Sequence, residues 1–348
     1  MTVLVTGGAG YIGSHMVWAL LDAGENVVVL DRLSTGFEWA VPQEAHLAVG
    51  DVGDADLVGA LIDSHSIDAI IHFAGSVIVP ESLSDPLAYY DNNTARSRTL
   101  IEAAMRGGVK HFIFSSTAAV YGSVGNEPVR ENHATVPESP YGMSKLMTEI
   151  ILRDTAAAHD FRYAALRYFN VSGADPKGRA GQSTRGATHL VKVACETALG
   201  KRPRLDIFGA DYDTPDGTCI RDYIHVTDLA DAHMLALQRL RAGGDNIVAN
   251  CGYGQGYSVL DVADCVRRVS GVNFETRIAP RRDGDAVAVV ANADLARKEF
   301  GWTPKHDDLD GIVRSALDWE RALARRNSAH STPGADNTVS VSRLRACA

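Results

Sequence analysis

A tyrosine and a lysine near the middle of the chain have the spacing of a proton-transfer pair. Tyr141 and Lys145 stand four positions apart in the segment SPYGMSK. Side chains at this spacing share one face of a helix, and Pro140 suits the first helical turn. An isolated tyrosine has a pKa of about 10 and is a weak base at neutral pH. A neighbouring ammonium favours the phenolate, so we expect Lys145 to lower the pKa of Tyr141.

Hydroxyl side chains follow an apolar run upstream of this pair. Ser115, Ser116 and Thr117 come directly after the apolar run HFIF. If that run is a strand, Thr117 can share a hydrogen bond with the same substrate oxygen that the tyrosine contacts. A tyrosine and a lysine at this spacing also occur on ordinary helix surfaces. It is their combination with hydroxyls at a strand end that favours catalysis.

A glycine-rich segment near the N-terminus has the composition of a loop that holds a pyrophosphate. Gly7, Gly10 and Gly13 are spaced GxxGxxG between an apolar run and an amphipathic stretch. Glycines permit a tight turn and close backbone approach, and the following helix presents free N–H groups to phosphates. Asp31 ends the second apolar run, where it can bind ribose hydroxyls and repel a 2′-phosphate. This favours NAD over NADP, although Arg32 would soften the repulsion.

Two later segments indicate the same ligand. Asp51 follows the third apolar run, where a carboxylate could reach the adenine amino group. Phe73, Ala74 and Gly75 follow the fourth, where small residues let the backbone approach a ligand. Ligands bind at the carboxyl ends of strands in open parallel sheets, and all these residues would lie there. We expect the adjacent His72 to be a hydrogen-bonded core histidine and not a base.

The elements that must position these residues alternate between short apolar runs and amphipathic stretches. Runs such as VVVL and AIIH are apolar throughout, as strands covered on both faces require. Six predicted strands are Val3–Thr6, Val27–Leu30, Leu47–Val49, Ala69–His72, His111–Ser115 and Tyr163–Tyr168. Helices are predicted between them, including Leu87–Arg106 and Tyr141–His159. The pattern predicts an α/β fold: a doubly wound parallel Rossmann sheet with a smaller mixed α/β substrate domain.

The regular alternation of apolar runs and amphipathic stretches ends after the sixth predicted strand. We predict a dinucleotide-binding domain at 1–169, with segments near 221–251 returning to it, and a substrate domain at 170–327. Thr227 and Ser258 are predicted N-caps of two of its helices. Residues 328–348 are polar and lack periodicity, so we expect a disordered tail.

Composition limits the possible partners. The 348 residues are 45% hydrophobic and carry a formal net charge of -9, with no dense basic stripe, which disfavours nucleic acid. The five cysteines form no CxxC pair, so neither a metal site nor a disulfide framework is expected. No apolar run approaches the roughly 20 residues of a membrane span. A strand begins almost at the N-terminus without a signal sequence, so the cytoplasm is the expected location.

Together these segments resemble the extended short-chain dehydrogenase/reductase family, and within it the sugar-nucleotide epimerases. The resemblance covers roughly residues 2–325 and is carried by VTGGAGYIGSH, YYDNN, SSTAAVYG, LRYFN and RDYIHV. Related 4,6-dehydratases carry an Asp-Glu pair directly after the catalytic threonine, where this chain has Ala118 and Ala119. The acid and base for eliminating water are therefore missing.

The resemblance implies inversion at C4 of a UDP-hexose with bound NAD. Tyr141 would take the proton of the 4-hydroxyl while NAD⁺ accepts hydride from C4. The 4-keto sugar would then turn and take the hydride back on its opposite face. The positive nicotinamide ring would further favour the phenolate. The resemblance also implies a homodimer through Leu87–Arg106 and Tyr141–His159.

The resemblance assigns site residues in three groups. The catalytic group is Tyr141, Lys145 and Thr117. The NAD contacts are Gly7, Gly10, Tyr11, Ile12, Gly13, Asp31, Asp51, Val52, Phe73, Ala74, Gly75, Asn92, Ser115, Tyr141, Lys145 and Tyr168. The UDP-sugar contacts are Thr117, Asn170, His189, Leu190, Phe208, Arg221, Arg282 and Asp285, the two arginines serving the pyrophosphate.

Four positions depart from the family pattern. Val77 replaces a frequent lysine that contacts the cofactor, which would weaken NAD retention, and Pro80 replaces a more usual glycine. His189 stands where some relatives place an asparagine that touches the ligand. Val289 replaces a large aromatic that closes the sugar pocket in some relatives. The smaller side chain would leave room for an N-acetyl group.

Two alternatives stay open at this point. One is a related enzyme of the family: a sugar-nucleotide dehydrogenase, a decarboxylase, or an epimerase of UDP-pentoses or UDP-uronic acids. The other is a dinucleotide-sensing binding protein without catalysis, against which the catalytic group argues.

Overall fold

The computed structural model describes residues 1–125, 127–282 and 285–330, with the backbone alone at 329–330. The strands are β1 (Thr2–Thr6), β2 (Asn26–Asp31), β3 (His46–Val49), β4 (Ile67–His72), β5 (His111–Thr117), β6 (Arg162–Tyr168), β7 (Asn170–Ser172), β8 (Leu205–Phe208), β9 (Ile220–His225), β10 (Ile247–Cys251), β11 (Gly256–Ser258), β12 (Thr276–Ala279) and β13 (Ala288–Val289). The α-helices are α1 (Tyr11–Asp22), α2 (Ala55–His65), α3 (Val79–Ser84), α4 (Pro86–Tyr89), α5 (Arg96–Arg106), α6 (Pro140–Ala158), α7 (Leu190–Ala198), α8 (Val226–Arg241), α9 (Val259–Ser270), α10 (Asp294–Phe300) and α11 (Leu309–His330).

The main sheet has the predicted doubly wound form. Within the described residues, seven strands pair in parallel in the order β10-β6-β5-β4-β1-β2-β3. Val3, Leu4 and Val5 of the central strand are fully buried, because helices cover both faces of the sheet. The strand order reverses between β1 and β4. The carboxyl ends of these two strands therefore border the crevice where such sheets bind ligands.

The two faces of this sheet carry separate hydrophobic cores. On one face, Leu20 of α1 and Leu237 of α8 pack in the same buried cluster. On the other face, Leu61 of α2, Leu100 of α5 and Leu152 of α6 share a second cluster. Helix α6, which begins with the predicted catalytic residues, is thus held firmly against β5 and β6.

The region predicted to return to the main sheet does so in part. Helix α8 packs on β5 and β6, and β10 extends the sheet beside β6. Strand β9 instead lies in a smaller sheet with β7, β11 and β13. Around that sheet, α7, α9 and α11 share a third buried cluster. The division into domains at 169 and 170 stays a prediction.

The C-terminal helix is longer than the sequence pattern indicated. Helix α11 continues to His330, so 328–330 are helical and not part of the predicted tail. The rest of that segment, 331–348, lies outside the described residues. Among the helices of the described part of the chain, none combines the length and apolar composition that a membrane span requires.

The predicted helix Leu87–Arg106 is divided by a π-helical turn. Tyr90–Ala95 forms this turn between α4 and α5. The wider turn leaves the Asn93 carbonyl free to accept hydrogen bonds from Ser97 Oγ at 2.6 Å and Thr148 Oγ1 at 3.1 Å. The Asn93 amide also donates to Ser144 Oγ at 3.1 Å. π-Turns often occur at functional sites, and this one contacts the helix that carries Tyr141.

Candidate active site

The predicted catalytic residues Tyr141 and Lys145 lie on the buried face of the first two turns of α6. Ser139 caps the helix by accepting a hydrogen bond from Gly142 N at 3.2 Å, and Pro140 occupies the first turn as predicted. Tyr141 is 7% exposed and Lys145 is 3% exposed. Because α6 begins beside the carboxyl end of β5, both side chains lie at the edge of the sheet that borders the crevice.

The end of β5 holds both side chains. Lys145 Nζ donates to the Ser115 carbonyl at 3.1 Å and lies 5.0 Å from the centre of the Phe114 ring. The Thr117 hydroxyl lies beside the Tyr141 hydroxyl and acts to lower the pKa of Tyr141. Burial lowers the pKa of Lys145 to about 8. The structure therefore brings together the three predicted catalytic residues.

The expected lowering of the tyrosine pKa is wrong for the chain by itself. Burial raises the pKa of Tyr141, and the opposing effect of the Thr117 hydroxyl is smaller. The Lys145 ammonium donates to a backbone carbonyl, and a phenolate in this dry site would lose its hydration. A further positive charge in the crevice would favour the phenolate.

The buried lysine predicts a pH-dependent cost to stability. Its pKa is about 8 in the folded chain against an ordinary value of 10.5, so the unfolded chain binds more protons between these values. The cost is present in full below pH 8 and disappears as the pH rises through that window. We expect Lys145→Met to raise the free energy of unfolding of the NAD-free protein by about 1–3 kcal/mol at pH 7.

Urea unfolding at pH 7 and pH 10 checks this expectation. The gain from Lys145→Met should shrink toward zero at pH 10, where the wild-type cost is largely gone. Lys298→Met is the control, because that side chain is 80% exposed. A gain that is the same at both pH values would contradict the buried-charge account.

The loop between β1 and α1 has space for glycine alone at two positions. Gly7 has a φ of +71°, and a Cβ there would lie 2.7 Å from Ala74 N. A Cβ on Gly13 would lie 2.1 Å from the Gly7 carbonyl oxygen. Gly10 is the N-cap of α1, and no side chain of the described residues caps this helix. Its first N–H groups are thus available to a pyrophosphate, which the predicted dinucleotide loop requires.

The two carboxylates predicted to contact NAD near this loop, those of Asp31 and Asp51, have different partners within the protein. Asp31 Oδ2 accepts a hydrogen bond from Ala9 N at 3.0 Å, so Asp31 closes the glycine loop from the end of β2. Arg32 turns away from it, with Nη1 3.5 Å from Asp51 Oδ2. Asp51 is also ion-paired with Arg96. The predicted adenine contact of Asp51 therefore competes with two arginines. Asp31 lies against the glycine loop, and its contact with ribose hydroxyls stays a prediction.

The absence of a side chain at Gly75 lets the chain after β4 pass close to Asn93 and Lys145. A Cβ on Gly75 would lie 3.0 Å from Asn93 Oδ1 and 3.5 Å from Lys145 Nζ. Asn92 Nδ2 donates to Ser76 Oγ at 2.9 Å and fixes the same segment. The contacts predicted after β4 and at Asn92 thus border the crevice together with the catalytic group.

Other predicted NAD contacts are already engaged within the protein. The Tyr11 hydroxyl donates to the Gly173 carbonyl at 2.6 Å and joins the glycine loop to the chain after β7. The Tyr168 and Ser115 hydroxyls are 2.6 Å apart at the ends of β6 and β5. Val52 is 7% exposed and packs in the core, so it offers a ligand little beyond its backbone.

The structure brings together four of the predicted UDP-sugar contacts. The Arg282 guanidinium lies 4.0 Å from the centre of the Phe208 ring. Asp285 lies 3.6 Å from Arg221 Nη2 and, through its other oxygen, 3.6 Å from Arg282 Nε. Two arginine forks therefore converge on one carboxylate, an arrangement that can also receive phosphate oxygens.

The remaining predicted contacts stand on other elements. Asn170 begins β7, His189 is the N-cap of α7, and Leu190 is its first residue. His189 Nδ1 lies 3.4 Å from Gln182 Nε2. Among the described residues, no hydrogen bond or ion pair links these three positions to the arginine pair.

Sequence reasoning left several polar side chains of this region without a role. Glu149 and Arg167 form a buried ion pair behind the catalytic group, and Asn93 supports the segment after β4. The spacing of Glu149, four positions after Lys145, is the one signal that could have indicated it. His72 is the expected core histidine, hydrogen-bonded to Thr6 Oγ1 at 2.6 Å, and burial lowers its pKa to about 3.

Comparisons with known proteins agree with this geometry. A family model described as the NAD dependent epimerase/dehydratase family matches residues 3–252. A UDP-glucose 4-epimerase of Azospirillum brasilense is 58% identical over 95% of each chain. A UDP-glucose-4-epimerase structure from Stenotrophomonas maltophila, with bound NAD and formylated UDP-arabinopyranose, has 41% identity and a TM-score of 0.90, covering 94% of this chain and 99% of that one. The UDP-Glc/GlcNAc 4-epimerase of Campylobacter jejuni has 46% identity and a TM-score of 0.81, covering 92% and 99%.

Proposed function

The chain belongs to the NAD dependent epimerase/dehydratase family, and from this membership we propose that it inverts C4 of UDP-hexoses, interconverting UDP-glucose and UDP-galactose. One observation carries the proposal: Tyr141 and Lys145 lie one turn apart on the buried face of α6, and Lys145 is hydrogen-bonded to the end of β5 that carries Thr117. The epimerase names of relatives over nearly the whole chain support the reaction type.

The chain's own residues move one proton to and from the sugar. Thr117 and Tyr141 hold the 4-hydroxyl between them, and Tyr141 takes its proton. After the sugar has turned, Tyr141 returns that proton to the 4-keto oxygen on the opposite face. Lys145 holds the end of β5 and adds positive charge near the phenolate. No proton is gained or lost in the complete reaction.

The crevice fits NAD. Gly7, Gly10 and Gly13 let the pyrophosphate approach the N-terminus of α1, and Asp31 would receive the adenosine ribose. The nicotinamide end would lie beside the strand end at Gly75, next to Lys145. When bound, NAD supplies the oxidising and cationic ring that this chemistry needs at C4. The positive charge also favours the phenolate, which the protein alone disfavours.

The arginine pair would bind the UDP pyrophosphate. Arg221 and Arg282 now share Asp285, and phosphate oxygens can accept the same N–H groups. Phe208 would support the nucleotide beside Arg282. Firm contacts at this end would leave the hexose free to turn between the two faces.

Product analysis tests the proposal. Purified protein with NAD should convert UDP-galactose to UDP-glucose, and the reverse, without accumulating NADH. Stoichiometric NADH would indicate a sugar-nucleotide dehydrogenase, and turnover of UDP-pentoses or UDP-uronic acids alone would indicate another epimerase of the family. Binding of NAD without turnover of any UDP-sugar would favour the non-catalytic alternative.

We also propose that N-acetylated UDP-hexosamines are substrates. Val289 pairs with Arg221 across β13 and β9 and packs against the cluster that contains Ala118 and Phe169. It therefore lies between the arginine pair and the catalytic strand end. A small side chain there leaves space beside the sugar, and the dual-specificity name of the Campylobacter jejuni enzyme supports this.

Enlarging this side chain should separate the two substrate classes. We expect Val289→Tyr to reduce kcat/KM for UDP-N-acetylglucosamine by about tenfold to 200-fold and for UDP-galactose by less than about threefold, because one pocket contact changes. Val272→Tyr, at an exposed position, is the control. Equal losses for both substrates would contradict the pocket assignment.

We propose a homodimer through the outer faces of α4 and α6. Leu87 is 78% exposed, Met147 38% and Ile150 39%, which is unusual for large apolar side chains on adjacent helices. Light scattering should give twice the 37.3 kDa chain mass. A monomer mass would reject the interface.

We propose that the protein acts in the cytoplasm. Cys195, Cys219, Cys251 and Cys265 are buried free thiols, as a reducing compartment favours. Cell fractionation checks this, and recovery outside the cytoplasmic fraction would contradict it.

A further inference from the structure

A buried acid–base network lies behind the catalytic face of α6. Glu149 is one turn beyond Lys145 and is 5% exposed. Arg167 of β6 meets its carboxylate as a fork, with Nε donating to Oε1 at 3.0 Å and Nη2 donating to Oε2 at 2.6 Å. The Ser116 hydroxyl of β5 donates to the same Oε1. One carboxylate therefore ties the catalytic helix to two adjacent strands.

The network continues to the edge of the sheet. Arg167 Nη1 donates to the Tyr121 hydroxyl at 3.0 Å, which in turn donates to Asn250 Oδ1 at 2.7 Å. Asn250 Nδ2 donates to the Val129 carbonyl at 2.8 Å. A buried ion pair adds little net stability, but one whose hydrogen bonds are satisfied holds its surroundings in one geometry.

Ser116 stands between the two strand residues that touch the catalytic pair. On one side the Ser115 carbonyl accepts from Lys145 Nζ, and on the other Thr117 lies beside the Tyr141 hydroxyl. Glu149 shares helix α6 with both catalytic residues. The Ser116–Glu149 hydrogen bond therefore joins α6 to β5 between these two contacts and holds the helix and the strand at a fixed separation.

We propose that Glu149, held by Arg167, is a positioning residue that acts through Ser116 to keep the end of β5 in register with Tyr141 and Lys145. This inference rests on the proposed epimerase function. Without the Ser116 link, we expect Thr117 to move away from the Tyr141 hydroxyl. Since the Thr117 hydroxyl acts to lower the pKa of Tyr141, this movement raises the pKa.

Other groups facing Tyr141 leave this expectation unchanged. Tyr89 of α4 contacts its ring edge-on at 6.4 Å, and Tyr168 approaches from β6. Burial raises the pKa of both tyrosines, so both stay neutral over the assay range. Lys145, with its pKa of about 8, is present in the wild type and in every variant used here.

Ser116→Ala in the NAD-loaded full-length protein is the decisive variant. It removes the link and leaves the ion pair intact, whereas Glu149→Gln would also leave Arg167 buried without its counter-charge. For UDP-galactose we expect kcat to fall about tenfold, KM to stay within about twofold, and the acid limb of the kcat–pH profile to move up by roughly half a pH unit or more. Thr197→Val is the control, because it removes another buried hydroxyl, on α7.

The outcomes distinguish a failure of the positioning role from a failure of the proposed epimerase function. A wild-type protein without turnover overturns both. An active wild type whose kcat and acid limb are unchanged in Ser116→Ala overturns the positioning role alone. The same holds if Thr197→Val lowers kcat and shifts the acid limb equally, because general loosening would then explain the effect.

Discussion

Tyr141→Phe should lower the turnover of UDP-galactose by about 10²–10⁴-fold, the range that a positioned acid–base group contributes. The substitution removes the hydroxyl that lies beside Thr117 and leaves the ring that packs against Tyr89. Folding and NAD retention should therefore stay close to wild type. Steady-state rates, together with the amount of NAD released on denaturation, measure both.

A second buried tyrosine provides the control for this loss. Tyr163 is 6% exposed and lies at the amino end of β6, away from the crevice. Tyr163→Phe should keep turnover within about threefold, as expected away from the reacting atoms. If Tyr141→Phe keeps more than a tenth of wild-type activity, the tyrosine is not the base.

Gly13→Ala should abolish NAD retention and destabilise the fold. The added Cβ would lie 2.1 Å from the Gly7 carbonyl oxygen and 2.8 Å from Gly8 Cα, so the backbone of the loop leaves it no room. We expect the free energy of unfolding to fall by about 2–3 kcal/mol, the range for overpacking. The shifted loop should no longer present its N–H groups to a pyrophosphate. Thermal melts with and without added NAD measure both effects.

A glycine with free space around it provides the control for Gly13→Ala. Nothing lies within 4 Å of a Cβ on Gly59, in the middle of α2. Gly59→Ala should be neutral or stabilise by up to about 1 kcal/mol, because alanine favours helices. A Gly13→Ala protein that melts like wild type and keeps its NAD would disprove the loop geometry.

The main sheet could be predicted because its strands are buried on both faces. Apolar runs such as VVVL and AIIH are visible in sequence, and each became a strand of the sheet. The N-cap of α9 could be predicted because the residues that form it are close in sequence. Ser258 and Asp261 form a complete capping box there. The predicted N-cap of α8, Thr227, was wrong: His225 caps this helix. A histidine cap depends on local geometry that residue spacing does not reveal.

The proximity of Tyr141 and Lys145 was predictable because their spacing is local, whereas the pKa of Tyr141 was not. The four-residue interval puts both side chains on one face of a helix. The pKa of Tyr141 depends on burial by distant segments, which raises it in the chain without NAD. The engagement of Asp51 by Arg96 and of Glu149 by Arg167 also joins residues far apart in the chain. Periodicity carries no information about such pairs.

The fate of the hydrogen on C4 tests the central claim most directly. UDP-galactose carrying deuterium at C4 should give UDP-glucose with the deuterium still on C4, because only the hydroxyl proton passes through Tyr141. Mass spectrometry of the product after equilibration in ordinary water measures this. Full retention without net NADH is the predicted result. Loss of the deuterium to solvent would mean that the protein inverts the centre by removing a carbon-bound proton, contrary to this account.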